Sequence, residues 1–230
     1  HGSALRAGLL SDESMAPLEQ MVILGDYGHG IGGPGLSEAQ LAEFDARMSS
    51  GEGEPQWYDL QAKRRLDPAV REVLGPVGTR CLGHPNIFPN LWVALTRQIC
   101  LRIPRGPFET ELWWFTFLPK NISDEERRQS LFMANHVFGP AGLLEQDDGE
   151  NWSHSTRGAK GAVTRRQPLN FSMGQGHDRV EEDESGQYRI ETVVNEHGQR
   201  WTYQAWQEWM LADSWQDLAA NHSPPPRGVV

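Results

Sequence analysis

The chain has 230 residues, 38% of them hydrophobic, with nine tryptophans and a formal net charge of −10 at pH 7. That length suits one well-buried domain, and no apolar run approaches the roughly 20 residues that cross a bilayer. The acidic balance argues against a general nucleic-acid binder, whose affinity comes from Lys and Arg on phosphates; two cysteines, Cys81 and Cys100, are too few for a disulfide scaffold or thiolate cluster and fit a reducing compartment.

The chain begins at His1 with no charged-then-apolar leader and so reads as a fragment or processed product. Met21 to Leu24 is a short apolar, β-branched run that predicts a strand, and Gly25 to Pro34 after it reads as a flexible glycine-rich loop. Ser37 with Gln40 three residues on is a capping pair for a helix over Leu36 to Met48. Gly51 to Pro55 reads as a polar linker and Pro68 to Leu74 as a short helical piece. From Ile87 the pattern turns to strands, Ile87 to Leu95, Ile99 to Ile103 and Glu111 to Leu118, in an antiparallel hairpin or meander. Ser123-Asp-Glu-Glu126 opens a helix running toward Phe138, where the Gly139-Pro-Ala-Gly142 step breaks it before Leu143 to Asp148 resumes a helical pattern. The remainder holds an acidic run at 181–184, a strand candidate from Tyr188 to Val194 and a Trp-rich helix from Tyr203 to Leu211. We therefore expect one domain over residues 1–222 and an extended or disordered tail over 223–230, where Pro224-Pro-Pro226 cannot continue a helix.

Gly28-x-Gly30-x-x-Gly33 formally matches a dinucleotide fingerprint, but Pro34 and Gly35 separate it from the next helix and no βαβ pattern follows. The acidic group Glu145, Asp147, Asp148 and Glu150 could be a solvated helix face. Its apolar and small flanks place it against a packed interior instead, where a carboxylate needs a hydrogen bond, a counter-charge or a metal. With Asp and His as donors and no clustered thiolates, a divalent ion such as iron, manganese or zinc is the natural choice.

The segment from Phe138 through Gly-Pro-Ala-Gly142, Leu143-Leu144-Glu145-Gln146-Asp147-Asp148 and Gly149-Glu-Asn-Trp152 closely resembles the iron-binding segment of the large subunits of aromatic-ring-hydroxylating dioxygenases. His1 to Gly8, Gly28-His29-Gly30, His84 to Pro89, Pro104 to Pro107 with Glu111-Leu-Trp, and Met173 to Gly176 agree in order. The resemblance implies an α+β, helix-grip-like fold, an antiparallel sheet covered by helices. It also implies a mononuclear Fe(II) held by two histidines and one aspartate. Asp148 falls on the aspartate and His1 on the second histidine, with the first histidine expected just before residue 1; His1-Gly2-Ser3 also reads as an expression remnant. By the same likeness His84, Ala94, Phe138 and Leu144 would line the substrate pocket. Relatives for small aromatics often carry a bulky ring where this chain has Leu144, so a polycyclic aromatic is the implied substrate.

The implied reaction adds both atoms of dioxygen to the ring, giving a cis-dihydrodiol. The chain lacks the cysteine and histidine arms of a Rieske [2Fe-2S] centre, which would belong to an upstream domain. A small β subunit, a ferredoxin, an NADH-dependent reductase, an α3β3 assembly and a cytoplasmic setting are implied as well. A hydrophobic-ligand-binding module of related fold and a metal-dependent hydrolase are the alternatives.

Overall fold

The computed structural model describes residues 2–7, 19–50, 67–94, 97–177, 179–184, 186–191 and 195–229. They form two compact units, one of His1–Pro17 with Thr96–Asn170 and one of Leu18–Leu95 with Phe171–Val230. His1, the 51–55 linker and residues 192–194 of the expected strand lie outside the described residues.

The second unit is built on antiparallel strands: β1 (Glu19–Leu24), β2 (Gly30–Gly35), β3 (His84–Ile87), β4 (Leu91–Ala94), β7 (Arg179–Glu182), β8 (Tyr188–Ile190) and β9 (Gly228–Val229). They lie in the order β4-β3-β2-β1-β8-β7-β9. Strand β1 is apolar from Met21 to Leu24, where both of its faces are covered. Met21 and Ile23 pack with Val77 and Cys81 around helix α3 (Pro68–Arg80). Leu24 packs with Val180, Ile190 and Trp201, the last on helix α6 (His197–Leu211), with Val22 alongside. Helix α6 starts six residues before the Trp-rich stretch suggests, and it buries a stripe of His197, Trp201 and Ala205 at helical spacing. Helix α2 (Glu38–Ser50) carries the expected cap: Ser37 and Gln40 exchange hydrogen bonds, Ser37 N–H to Gln40 Oε1 at 2.9 Å and Gln40 N–H to Ser37 Oγ at 3.2 Å. A short helix α7 (Trp215–Asn221) follows α6.

Two sequence expectations change here. The glycine-rich stretch is not a loop: after a single turn at Asp26–Gly28, Gly30–Gly35 forms β2, paired with β1 on one side and β3 on the other. The glycines serve close approach. An added Cβ at Gly33 would lie 2.8 Å from the Gly83 Cα, and one at Gly83 2.7 Å from the Gly32 carbonyl oxygen. The apolar run from Ile87 to Leu95 likewise divides into β3 and β4 around a turn at Phe88 to Asn90. The Gly25 to Gly28 turn is held by α6, since Trp201 Nε1 donates to the Gly25 carbonyl at 2.8 Å and Trp209 Nε1 to the Tyr27 carbonyl at 3.3 Å. Between α6 and strands β1 to β3 lies a cavity of about 420 Å³, lined by Gly32, His29, Asn86 and Gln199 among others.

The first unit holds the hairpin of β5 (Gln98–Gly106) and β6 (Glu109–Thr116), and helices α1 (Gly2–Arg6), α4 (Asp124–Val137) and α5 (Leu143–Ala159). Gln98 and Cys100 turn to the buried face of the hairpin and are each 2% exposed. Arg97, with left-handed φ of 61°, ties the start of the hairpin to α4 through Glu126 at 3.5 Å and Ser130 at 3.3 Å.

Candidate active site

Three of the residues singled out from the sequence, Phe138, Leu144 and Asp148, lie at the break between α4 and α5 or in the first two turns after it. Helix α4 is capped by Ser123, whose Oγ accepts from Glu126 N–H at 3.1 Å, and acidic residues fill its first turn. It stops at Val137, and Phe138 turns to extended backbone while staying buried. Gly139 then takes a left-handed φ of 87°, and Gly142 N–H bonds back to its carbonyl at 2.9 Å. Helix α5 restarts at Leu143, so that half-buried Leu144 lies in its first turn and Asp148 in its second.

The acidic group divides by environment. Glu150 is exposed. Asp147 accepts a hydrogen bond from Ser3 Oγ at 2.8 Å, which joins α1 to α5. Asp148 is half-buried, and that burial, reinforced by the neighbouring Asp147 charge, raises its carboxyl pKa above the ordinary value. Glu145 is buried at 8% exposure and accepts from Trp114 Nε1 at 3.3 Å. Its burial also raises its pKa, with Trp114 and Arg102 pulling the other way and Asp148 adding to the rise. Trp114 lies over Phe138 as well, ring centroids 5.4 Å apart and planes within 10°.

The raised Glu145 value carries a sign. A carboxyl that binds its proton more tightly when folded stabilises the fold fully below the unfolded value and loses that stabilisation as pH rises through the folded value. Glu145→Gln, which keeps an oxygen for Trp114, is therefore expected to raise the melting temperature of metal-free protein near neutral pH, the gain vanishing below the ordinary value of 4.5. Calorimetric scans across pH check this, and a lower melting temperature at neutral pH would refute it.

His84 and Ala94 belong to the second unit. His84 opens β3 opposite Gly32, stacks on Trp92 with centroids 4.9 Å apart, and is pushed by burial below its ordinary pKa, which keeps its imidazole neutral near pH 7. Ala94 closes β4 and is 3% exposed. Among the described residues no group of three or more His, Cys, Asp or Glu is arranged to hold a metal ion, and no described helix is long and apolar enough to cross a membrane. Sequence reading gave no role to His29, whose Nδ1 accepts from Phe88 N–H at 3.0 Å, nor to His222, which bridges Glu208 at 3.0 Å and the Tyr27 N–H at 2.9 Å. His222 secures the turn at 25–28, and His29, just after it, is tied to the turn between β3 and β4. Sequence reading placed Glu145 with the other carboxylates against a packed interior without joining it to Trp114; the spacing of three between Glu145 and Asp148, which puts both on one helical face, is the signal it offered.

Comparison with known proteins decides what this break belongs to. The model of the ring hydroxylating alpha subunit (catalytic domain) matches residues 10–212. The chain belongs to this family. It is 35% identical to biphenyl dioxygenase subunit alpha of Paraburkholderia xenovorans, over 70% of this chain and 35% of that one. It is also 35% identical to chlorobenzene dioxygenase subunit alpha of a Cupriavidus species, over 96% of this chain and 49% of the relative. Among solved structures, naphthalene 1,2-dioxygenase with indole in its active site matches with a TM-score of 0.68 at 21% identity, covering 96% of this chain and 50% of that one. The Rhodococcus enzyme bound to indole matches with a TM-score of 0.67 at 26% identity, covering 93% and 50%. The α+β fold of antiparallel strands and helices is thus that of the ring-hydroxylating family, and neither the binding-module nor the hydrolase alternative is favoured. The chain spans half or less of the length of these relatives.

Proposed function

We propose that this chain is the catalytic part of a terminal oxygenase that adds both atoms of dioxygen to an aromatic ring at a mononuclear Fe(II), giving a cis-dihydrodiol. The observation that carries the reading is the half-buried Asp148 on α5, a turn beyond Leu144 and just past Phe138, in a chain of the ring-hydroxylating family. A carboxylate in that setting fits a divalent cation, because the cation offsets the desolvation that raises its pKa. Asp148 would hold the iron with His1 and a further imidazole from chain ahead of it. Ser3 ties α1 to the helix that carries Asp148, and His1 directly precedes α1.

When bound, the iron supplies dioxygen activation, with electrons drawn from a Rieske [2Fe-2S] centre. The protein's part is to orient and to exclude water. On that reading Phe138 would offer a flat apolar wall, and a leucine at position 144, at the start of α5, would leave room that a larger ring would fill. His84 and Ala94 are assigned to the substrate surroundings on the resemblance alone; a neutral His84 can donate a hydrogen bond without bringing a charge into an apolar site. A small β subunit, a ferredoxin and an NADH-dependent reductase would complete the system, with an α3β3 assembly in the cytoplasm.

The test is the full-length chain with its electron-transfer partners. Mononuclear iron in addition to the [2Fe-2S] iron, and dihydrodiol formed from an aromatic hydrocarbon with dioxygen consumed, are expected. An iron-free protein that binds aromatics without oxidising them overturns the proposal. A leucine at position 144 in place of a bulky ring further predicts that kcat/KM for phenanthrene or pyrene exceeds that for benzene by about tenfold or more, the scale on which pocket fit discriminates apolar substrates. Parallel rate measurements decide this, and a preference for the one-ring compound defeats it.

A further inference from the structure

We infer that Trp114 is a positioning residue for the aromatic pocket, setting where Phe138 stands and thereby which ring bond of the substrate is presented for oxidation. The inference rests on the oxygenase reading above. Trp114 lies in β6 opposite Cys100 of β5, on the buried face of the hairpin. Its indole makes two separate contacts with the break. One face lies nearly parallel to the Phe138 ring, with centroids 5.4 Å apart and planes within 10°. Its Nε1–H donates to Glu145 Oε1 at 3.3 Å, and Glu145 is buried. Glu145 precedes Asp148 by three residues, so the two carboxylates share a face of α5 and the hydrogen bond fixes the rotation of that helix. Gly139 adds a third reason for the indole to stand where it does. A Cβ added there would lie 3.9 Å from the Trp114 Cγ, so the indole also abuts the left-handed turn.

One side chain thus backs the pocket wall and anchors the helix bearing the proposed iron ligand. Phe138 is buried and stands on extended backbone just beyond the end of α4, with two side-chain torsions that set its ring. The flat indole behind it limits how far that ring tilts or retreats. Shortening Trp114 opens space behind Phe138, the ring moves into it, and a planar substrate settles differently.

The test uses the complete oxygenase with its partners, and phenanthrene, whose ring bonds are chemically inequivalent. Trp114→Leu removes both the stack and the donor, while Trp114→Phe keeps an aromatic ring but loses the donor and part of the area. Two quantities are read: the ratio of regioisomeric dihydrodiols, and the Kd of phenanthrene for enzyme stripped of its mononuclear iron, followed by phenanthrene emission. Trp114→Leu should shift the product ratio by about threefold or more and weaken phenanthrene binding, with Trp114→Phe moving both in the same direction by less. Unchanged ratio and unchanged Kd in Trp114→Leu, or in Trp114→Phe if the leucine variant does not fold, overturns the inference. A wild-type enzyme that makes no dihydrodiol defeats the oxygenase reading instead, and the Kd alone then decides Trp114: weakened binding supports the pocket role, and unchanged binding removes it.

Discussion

Asp148→Ala in the full-length enzyme is expected to reduce mononuclear iron to background and dihydrodiol formation by more than a hundredfold. The reason lies in how the adjacent carboxylates are used. Asp147 is taken up by Ser3 Oγ at 2.8 Å, a bond that holds α1 against α5, while Asp148 sits a turn beyond Leu144 with its carboxyl pKa raised by burial. Asp147→Ala should therefore weaken iron binding only through the loosened α1, by about tenfold to a hundredfold, the usual cost of losing a supporting contact around a metal site. Metal analysis and single-turnover product yield on the two variants check the pair. Equal losses would mean that the motif position has been misassigned. A pH dependence follows with a definite sign, because a metal binds the deprotonated carboxylate. Iron should be released as pH falls, the two imidazole ligands taking protons first and the raised Asp148 value adding to the competition.

Gly142→Ala should be the most damaging small substitution in the first unit, costing about 3 kcal/mol or more of stability, at the upper end of what overpacking exacts. Its backbone φ of −74° suits any residue, so the cost is steric rather than conformational. An added Cβ would lie 2.5 Å from the Val137 carbonyl oxygen and 2.6 Å from the Phe138 Cα, both backbone atoms that cannot swing aside. The chain must double back on itself here for α5 to begin beside the end of α4, and only a hydrogen fits in the bend. Chemical denaturation of the variant gives the measurement. Wild-type stability would show that the 138–142 step adopts another path. Gly149→Ala, where an added Cβ meets nothing within 4 Å, is the matched control and should be neutral or slightly stabilising, as alanine usually is within a helix.

Much of the fold can be read from the residues because local rules and tertiary packing agree there. Ser123 with three acidic residues after it, Ser37 with Gln40, and the apolar β1 all specify their elements through short-range chemistry. The broken helix is legible for the same reason, since Gly139, Pro140 and Gly142 interrupt a pattern that Leu143 resumes. Strand β2 is not legible. Propensity assigns Gly30 to Gly35 to a loop, and only its neighbours β1 and β3, with the approach of Gly83, turn it into a strand. In the site, Asp148 and Phe138 come from a long motif match, whereas Trp114 and Glu145 find each other across 31 positions of sequence, a separation that periodicity cannot bridge. The burial of Glu145 is a property of the hairpin packed on it, so nothing in the acidic run marks it apart from Glu150.

The glycines of β2 have a practical consequence for site-specific labelling. Gly32 lines the cavity under α6, and a Cβ built there meets no atom within 4 Å, whereas its neighbour Gly33 has a Cα of Gly83 at 2.8 Å and φ of 146°. The native thiols Cys81 and Cys100 are both buried. A cysteine introduced at Gly32 would thus be the thiol with room around it, and a small spectroscopic probe attached there would report on the hydration and occupancy of the cavity, one residue away from a position where no probe could be placed at all.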